Sequence, residues 1–263
     1  MSSPDHFQPL AAYGFGPAQA AAWAEYTSLQ PGTQPARVVR VERNGYRLMT
    51  AGGEQEAVWP ASHRHRLLDV PVIGDWVACA APEAEGGLLR IETVLARRQT
   101  LTRAVTRGRR KEEQLLAANL DTVLVMTTQA DWDTERLGRY LQAVSLSGAA
   151  PVILLNKADE LRGEFLPWAR EQLQAQDLAT PLLPISAAAG TGLEALGEIL
   201  RPAQTAALIG SSGMGKSTLT NRLLGGQHTL TGALSDSSGE GHHTTTWRSL
   251  YRLPAGSVGA GPC

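Results

Sequence analysis

The stretch GSSGMGKST, residues 210–218, decides the fold class of this 263-residue chain. It meets the pattern G-x-x-x-x-G-K-[S/T], follows the apolar run TAALI and opens the helical pattern KSTLTNRLL. Glycines let successive backbone N–H groups turn toward an anion, and the N-terminus of the helix adds positive potential. Lys216 is placed to reach the terminal phosphates of a nucleotide, and the Ser217 hydroxyl to ligate Mg²⁺. The predicted phosphate-binding residues are Gly210, Ser211, Ser212, Gly213, Met214, Gly215, Lys216, Ser217 and Thr218.

A second motif, NKAD at residues 156–159, follows the apolar strand pattern PVILL. Loops at the carboxyl ends of parallel strands are where such sheets meet ligands. The Asp159 carboxylate can accept both the ring N–H and the exocyclic amino group of guanine, which favours GTP over ATP. We expect Asn156 to tie this loop to the phosphate loop, and the Lys157 stem to cover one face of the base. The predicted base-binding residues are Asn156, Lys157, Ala158 and Asp159, with Ser186 and Ala187 after the strand pattern PLLPI as a second loop.

The order of these motifs is the reverse of that in ordinary GTPases, where the phosphate loop comes first. A parallel sheet brings all its strand ends to one edge, so the site does not depend on chain order. From residue 119 onward, apolar strand patterns alternate with helical ones, which indicates a parallel sheet with helices on both faces. The predicted fold class is therefore α/β, a circularly permuted P-loop GTPase domain. An ATP-dependent kinase would share the phosphate loop but would leave NKAD and the second loop without a role.

The sequence ahead of this domain shows a different pattern of secondary structure. Residues 17–29 are Ala-rich with a Pro at the first position, which predicts a helix. Residues 37–98 form short alternating runs separated by Gly-rich turns, which is typical of a small oligonucleotide-binding (OB-fold) β-barrel. We therefore predict an N-terminal helical segment (1–36), an OB-fold domain (37–100), a basic linker (101–118) and the GTPase domain (119–263).

The composition is that of a globular protein. Hydrophobic residues make up 43% of the chain and charged residues 19%, and no apolar run approaches the roughly 18 residues that a membrane span needs. The N-terminus lacks the basic start and apolar core of a secretory signal, so we expect a cytoplasmic protein. Two cysteines, Cys79 and Cys263, are too few for a disulfide framework or a four-ligand zinc site.

Taken together, the motifs resemble the ribosome small-subunit-dependent GTPase A family, also called RsgA or YjeQ. The resemblance runs from about residue 37 to about residue 253 and rests on PVIGDWV, LARRQTLTR, AANLDTVLV, PVILLNKAD, ISAAAGTGL, GSSGMGKSTLTNRLLG and GHHTTT. It implies an OB-fold domain ahead of a GTP-hydrolysing domain, with GTP, GDP and Mg²⁺ as ligands. It also implies the small (30S) ribosomal subunit and its rRNA as partners during late maturation. We expect a monomer with no membrane partner.

The resemblance also implies a first switch in GHHTTT, here Gly241, His243, Thr244 and Thr245. In the family a threonine hydroxyl of this segment completes the Mg²⁺ coordination and senses the terminal phosphate. Thr244 and Thr245 are both candidates for this catalytic, Mg²⁺-binding role. His243 could help to position the attacking water, or could be a solvated loop histidine.

A basic cluster spans residues 97–111, where seven residues are basic and none is acidic. Its members are Arg97, Arg98, Arg103, Arg107, Arg109, Arg110 and Lys111. A charge run of this kind is often just a solvated face. Beside a barrel of nucleic-acid-binding type, we favour phosphate contacts to ribosomal RNA. Tyr46, Trp59 and Trp76 are the candidates for base stacking.

The sequence departs from the family in two ways. It has neither the D-x-P-G loop that follows the first switch in GTPases nor the Cys and His ligands of a C-terminal zinc domain, so no zinc is expected. We expect the parallel strand before that loop to be missing as well, which would open an edge of the sheet. The chain would then be truncated and would bind nucleotide better than it hydrolyses it. The alternative to a GTPase of 30S maturation is a non-catalytic nucleotide- or RNA-binding remnant.

Overall fold

A computed structural model describes residues 8–63, 70–82, 86–107, 110–225, 248–254 and 258–260. Two helices come first, α1 (Gln8–Ala11) and α2 (Pro17–Leu29), and α2 has the bounds that the sequence predicts. Proline suits the first helical position because the N–H it lacks would have no partner there. None of the helices in the described ranges is long and apolar enough to cross a membrane.

The next five strands form a closed barrel. Their bounds are Thr33–Val41 (β1), Tyr46–Thr50 (β2), Gly53–Val58 (β3), Trp76–Ala80 (β4) and Leu89–Val94 (β5). The pairing circuit runs β1, β2, β3, β5, β4 and back to β1; the β3–β5 pair is parallel and the others are antiparallel. Val38, Leu48 and Val77 are fully buried in the core of the barrel. The five-stranded barrel predicted from the sequence is confirmed, and its first strand starts at Thr33.

The residues expected to form a basic linker, 101–118, belong instead to a β-hairpin. Its strands are β6 (Thr100–Arg107) and β7 (Arg110–Ala118), antiparallel from the Thr100–Ala118 pair at the base to the Arg107–Arg110 pair at the tip. Threonine, leucine and valine in TLTRAVTR favour an extended strand. This preference decides the local structure, although the basic residues led to the prediction of a linker. Ile73 bridges to Ala117, which joins the barrel to the hairpin.

The GTPase part is a parallel sheet with helices on both faces. Its strands are β8 (Thr122–Thr128), β9 (Ala150–Asn156), β10 (Leu182–Pro184) and β11 (Thr205–Ile209), and its helices are α3 (Thr134–Ser147), α4 (Phe165–Ala175), α5 (Leu193–Ile199) and α6 (Lys216–Leu223). In space these strands run in the order β10, β9, β8, β11, and each pair is parallel. Val125 packs in one core with α3, whereas Met126 packs in a second core with α5 and α6. Both faces of the sheet are covered, as the sequence predicts.

Two further strands connect the parallel sheet to the barrel. They are β12 (Arg248–Arg252) and β13 (Val258–Ala260). Strand β13 is parallel to β11, and β12 pairs antiparallel with both β13 and β1. The expectation that a parallel strand is missing at this place is therefore wrong. A strand of three residues in a Gly-rich stretch carries too short a pattern to be recognised, but its backbone still pairs with β11.

Arg37 of β1 fastens the barrel to the parallel sheet. Its buried guanidinium donates to the carbonyl oxygens of Tyr13, Gly74 (3.3 Å) and Asn119 (3.3 Å), and to the hydroxyl of Thr205 (2.8 Å). The same group lies 5.2 Å from the centre of the Trp76 ring. Burial lowers the Arg37 pKa to about 10. Because Thr205 begins β11, and β11 ends at the phosphate loop, the barrel is bonded to the strand that carries the site.

Candidate nucleotide-binding site

The phosphate loop lies between β11 and α6 and is held in a conformation that requires glycine. Gly213 has φ 78° and Gly215 has φ 91°, both in the left-handed region. A Cβ on Gly210 would lie 2.3 Å from the Met126 carbonyl oxygen, and one on Gly215 would lie 2.5 Å from Nδ2 of Asn156. Helix α6 starts at once with Lys216, so the unpaired N–H groups of its first turn are next to the loop.

Lys216 is folded back over the loop that precedes it. Its ammonium group donates to the carbonyl oxygens of Gly210, at 2.8 Å, and Ser211, at 2.7 Å. Ser217 and Thr218 follow in the first turn of α6 and are exposed to solvent. The cation and the hydroxyl groups predicted to meet phosphates and Mg²⁺ are therefore gathered at one place.

Asn156, at the end of β9, joins three loops through one side chain. Its Nδ2 donates to the Met214 carbonyl oxygen in the phosphate loop at 2.7 Å. Its Oδ1 accepts from the N–H of Ala187, in the loop after β10, at 2.9 Å. The side chain is buried, with 3% of the residue exposed, and both ends of the amide are satisfied. The predicted tie between NKAD and the phosphate loop is confirmed, and the bond to Ala187 extends it to the second loop.

Asp159 stands at the open side of this arrangement. The Ser186 hydroxyl donates to its carboxylate and, together with the N–H of Asp159 itself, holds the Asp159 pKa below its ordinary value. Ser186 also accepts from the N–H of Ala189 at 3.0 Å, which fixes the hydroxyl. Lys157 has a left-handed backbone, φ 60°, and its ammonium lies 4.0 Å from the Glu160 carboxylate.

Two residues that the sequence analysis missed support these loops. Arg222 of α6 donates through Nε to the Ala187 carbonyl oxygen at 2.7 Å, and through its second nitrogen to that of Ala188. Thr128, at the end of β8, places its hydroxyl 3.9 Å from the Met214 sulfur. Neither residue belongs to a motif, and their partners are 35 and 86 positions away along the chain. No local pattern in a single sequence could have identified them.

The residues of the predicted switch, Gly241, His243, Thr244 and Thr245, lie outside the described part of the chain, and so does Arg109 of the basic cluster. Arg107, Arg110 and Lys111 fall at the tip of the hairpin, where Arg107 pairs with Arg110 and Thr106 with Lys111. Arg103 is exposed and donates to the Gln114 side chain at 2.9 Å. Arg98 is also exposed, with one guanidinium nitrogen 3.8 Å from the Asp121 carboxylate.

Arg97 differs from the rest of the basic cluster because its charge is held inside the protein. Its guanidinium donates to both carboxylate oxygens of Asp75, at 2.8 and 2.7 Å, and to the Val70 carbonyl oxygen at 2.9 Å. The Asp75 side chain is fully buried, and this burial raises its pKa although Arg97 pulls the other way. Such a bidentate pair has a structural role. Trp76 is likewise buried, edge-on to Phe15 at 5.0 Å, so it offers no surface for base stacking.

The geometry defines a class of protein. A phosphate loop lies at the end of the central parallel strand β11. One buried asparagine, at the end of β9, bonds it to the loop that follows β10, and both of these strands lie beyond β8 in the sheet. The loops after β9 and β10 both precede the phosphate loop in the chain. This is the fold of a circularly permuted P-loop GTPase domain, carried behind an OB-type barrel.

Comparison with known proteins identifies the family. The family model described as RsgA GTPase matches residues 94–261. The small ribosomal subunit biogenesis GTPase RsgA of Syntrophotalea carbinolica is 40% identical over 85% of this chain, and that of Streptomyces coelicolor is 38% identical over 98% of it. The chain belongs to the RsgA GTPase family. It spans 63% of the Syntrophotalea protein and 69% of the Streptomyces protein.

Solved structures show the same fold. The crystal structure of YjeQ from Thermotoga maritima superposes with a TM-score of 0.62 at 23% identity, covering 88% of this chain and 74% of that one. YloQ, described as a circularly permuted GTPase, superposes with a TM-score of 0.56 at 16% identity, covering 87% and 70%.

Proposed function

We propose that this protein binds GTP and GDP with Mg²⁺, hydrolyses GTP, and acts in late maturation of the small ribosomal subunit. The observation that carries the proposal is the Asn156 side chain, which bonds the phosphate loop and the two base-side loops into one unit. A buried amide with both ends satisfied fixes the relative positions of these loops before any ligand arrives.

Guanine selectivity rests on Asp159. Its carboxylate is ionised at neutral pH, the Ser186 bond holds its pKa below the ordinary value, and a carboxylate has room for several donors. Guanine offers two N–H donors on one edge, whereas adenine does not offer them in that arrangement. Lys157 covers the base with its stem, and Ala158 and Ala187 complete the loops around it.

The residues of the phosphate loop suit a nucleotide polyphosphate and Mg²⁺. The left-handed glycines and the first turn of α6 supply backbone N–H donors, and Lys216 supplies a cation that exchanges its present carbonyl partners for phosphate oxygens. The Ser217 hydroxyl, with Thr244 or Thr245, would hold Mg²⁺. When bound, Mg²⁺ neutralises charge on the phosphate oxygens. His243 is proposed to position the attacking water.

The ribosomal part of the proposal follows from the relatives, which are named small ribosomal subunit biogenesis GTPases. The protein would work as a monomer in the cytoplasm and would contact ribosomal RNA through the barrel and the hairpin. The proposed phosphate contacts are Arg98, Arg103, Arg107, Arg109, Arg110 and Lys111. Arg97 is left out because its guanidinium is bound to Asp75.

The test is single-turnover GTP hydrolysis by the full chain, with and without purified small ribosomal subunits. We expect hydrolysis that the subunits accelerate, and such a result would overturn the weak turnover expected from the missing D-x-P-G loop. Asp159→Asn should lose most of this hydrolysis at GTP concentrations that just saturate the parent. Glu198→Gln, which neutralises an exposed acidic residue on α5, is the matched control and should behave like the parent. Binding of GTP without hydrolysis under any of these conditions would favour the non-catalytic alternative instead.

A further inference from the structure

Three aromatic side chains form a cluster between the segment after β8 and the start of α4. Trp132 follows β8, while Phe165 and Trp168 lie in the first turn of α4. The ring centres of Trp132 and Phe165 are 5.6 Å apart and nearly perpendicular, and those of Phe165 and Trp168 are 5.3 Å apart. Trp132 and Trp168 are 6.3 Å apart. Edge-to-face and tilted contacts of this kind hold aromatic rings in fixed orientations.

Trp168 is the exposed member of the cluster, with 42% of its surface accessible. Its neighbours on the same side of α4 are Glu164, four residues before, and Glu171, three residues after, and both are exposed. Arg170, two residues after Trp168, lies on the opposite side of the helix. We call Glu164, Trp168 and Glu171 the aromatic–acidic face.

The chemistry of this face selects a positively charged partner. A rigid indole that keeps much of its surface in water is a typical anchor of a protein interface. Two carboxylates beside it repel the phosphates of a nucleic acid and attract a cation, and tryptophan is the best ring for a cation–π contact. We propose that the aromatic–acidic face binds an arginine- or lysine-rich peptide segment of a protein partner, with one cationic side chain over Trp168.

The face has a structural link to the nucleotide site, although the inference goes beyond the proposed function and does not depend on it. The Arg162 N–H, between Asp159 and α4, donates to the Gln129 side chain at 3.0 Å. That bond connects the loop carrying Asp159 with the loop carrying Trp132. A bound peptide would therefore contact the element that directly follows the base-reading loop.

The experiment uses an eight-residue peptide of alternating arginine and glycine, titrated calorimetrically into the full chain. Trp168→Leu should weaken binding about two- to fivefold, while Trp168→Phe, which keeps an aromatic face, should weaken it less. Glu164→Gln combined with Glu171→Gln should weaken it about as much and should reduce its dependence on salt. The same peptide with citrulline in place of arginine, which is neutral and nearly the same shape, should bind at least tenfold more weakly.

Two controls separate this site from general attraction to acidic surface. Glu194 and Glu198 are both exposed on α5, away from the Trp132–Phe165–Trp168 cluster in sequence, so Glu194→Gln with Glu198→Gln should leave peptide binding unchanged. Leu146→Ala removes another exposed apolar side chain, on α3, and should also have no effect. Equal losses in the control variants, or equal affinity for Trp168→Leu and the parent, would overturn the proposal. So would a ten-nucleotide single-stranded RNA that binds more tightly than the peptide and loses affinity in Trp168→Leu.

Discussion

Replacing Asn156 with alanine should weaken the protein and its nucleotide site together. The change removes the bond to the Met214 carbonyl oxygen at 2.7 Å and the bond from the Ala187 N–H at 2.9 Å, each of which contributes about 1 kcal/mol net. Ala187 is 1% exposed, so water cannot replace its lost acceptor, and an unpaired buried N–H costs about 1–3 kcal/mol. Met214 is only half-buried, so its carbonyl can turn to solvent. The free energy of unfolding should fall by about 3 kcal/mol.

The assay for Asn156→Ala is urea unfolding followed by circular dichroism, combined with a GDP titration in Mg²⁺. The affinity for GDP should fall at least about tenfold, because the three loops are no longer held together. Gln174→Ala is the control: it removes an amide from an exposed position in α4 and should change stability by no more than about 0.5 kcal/mol. A loss of stability in Asn156→Ala no larger than in Gln174→Ala, with GDP affinity intact, would refute this account of the site.

The remaining predictions concern the phosphate loop, the domain junction, the hairpin and pH. Lys216→Ala should lower the affinity for GDP and GTP by about tenfold or more in a fluorescent-nucleotide titration, since it removes the cation at the phosphates; unchanged affinity would make the loop purely structural. Arg37→Met should lower the free energy of unfolding by about 3 kcal/mol or more in urea, because it leaves buried carbonyl oxygens without their donor; a neutral result would show that the junction relaxes. Neutralising Arg107, Arg109 and Arg110 should flatten the slope of log affinity for small-subunit RNA against log salt by about two to three units, and an unaltered slope would assign them to solvent. Because the Asp159 pKa is lowered, its carboxylate stays ionised at every pH above the ordinary range for aspartate, and its contribution to guanine binding is lost only at more acidic pH. Titration of Asp159 should therefore cause no difference between the GDP affinities measured at pH 7 and at pH 5.

The sequence predicts those features of the structure whose pattern lies within a short stretch of residues. Local patterns suffice for the helix Pro17–Leu29, the five barrel strands and the alternation of strands and helices in the parallel sheet. The tie from Asn156 to the phosphate loop is also predictable, because both motifs have defined roles at strand ends. The strand Val258–Ala260 is too short to show a period, so its place beside β11 follows only from the fold.

Long-range polar contacts are the part that the sequence does not reveal. Arg37 and Thr205 are 168 positions apart, yet their bond helps to join the barrel to the strand behind the phosphate loop. Arg97 looks like one of seven equivalent basic residues until its pairing with buried Asp75 is known. The sequence shows that a side chain is cationic, but only its burial shows whether the charge meets a ligand or a partner inside the protein.

The most direct test of the central claim is an equilibrium titration of the full chain with GDP and with ADP, in the presence of Mg²⁺. Ser186 holds Asp159 in a loop that Asn156, three residues earlier, bonds to the phosphate loop. We predict that GDP binds at least about a hundredfold more tightly than ADP, and that Asp159→Asn removes most of this difference. Equal affinities for GDP and ADP in the parent chain would contradict the assignment of this edge as a guanine nucleotide site.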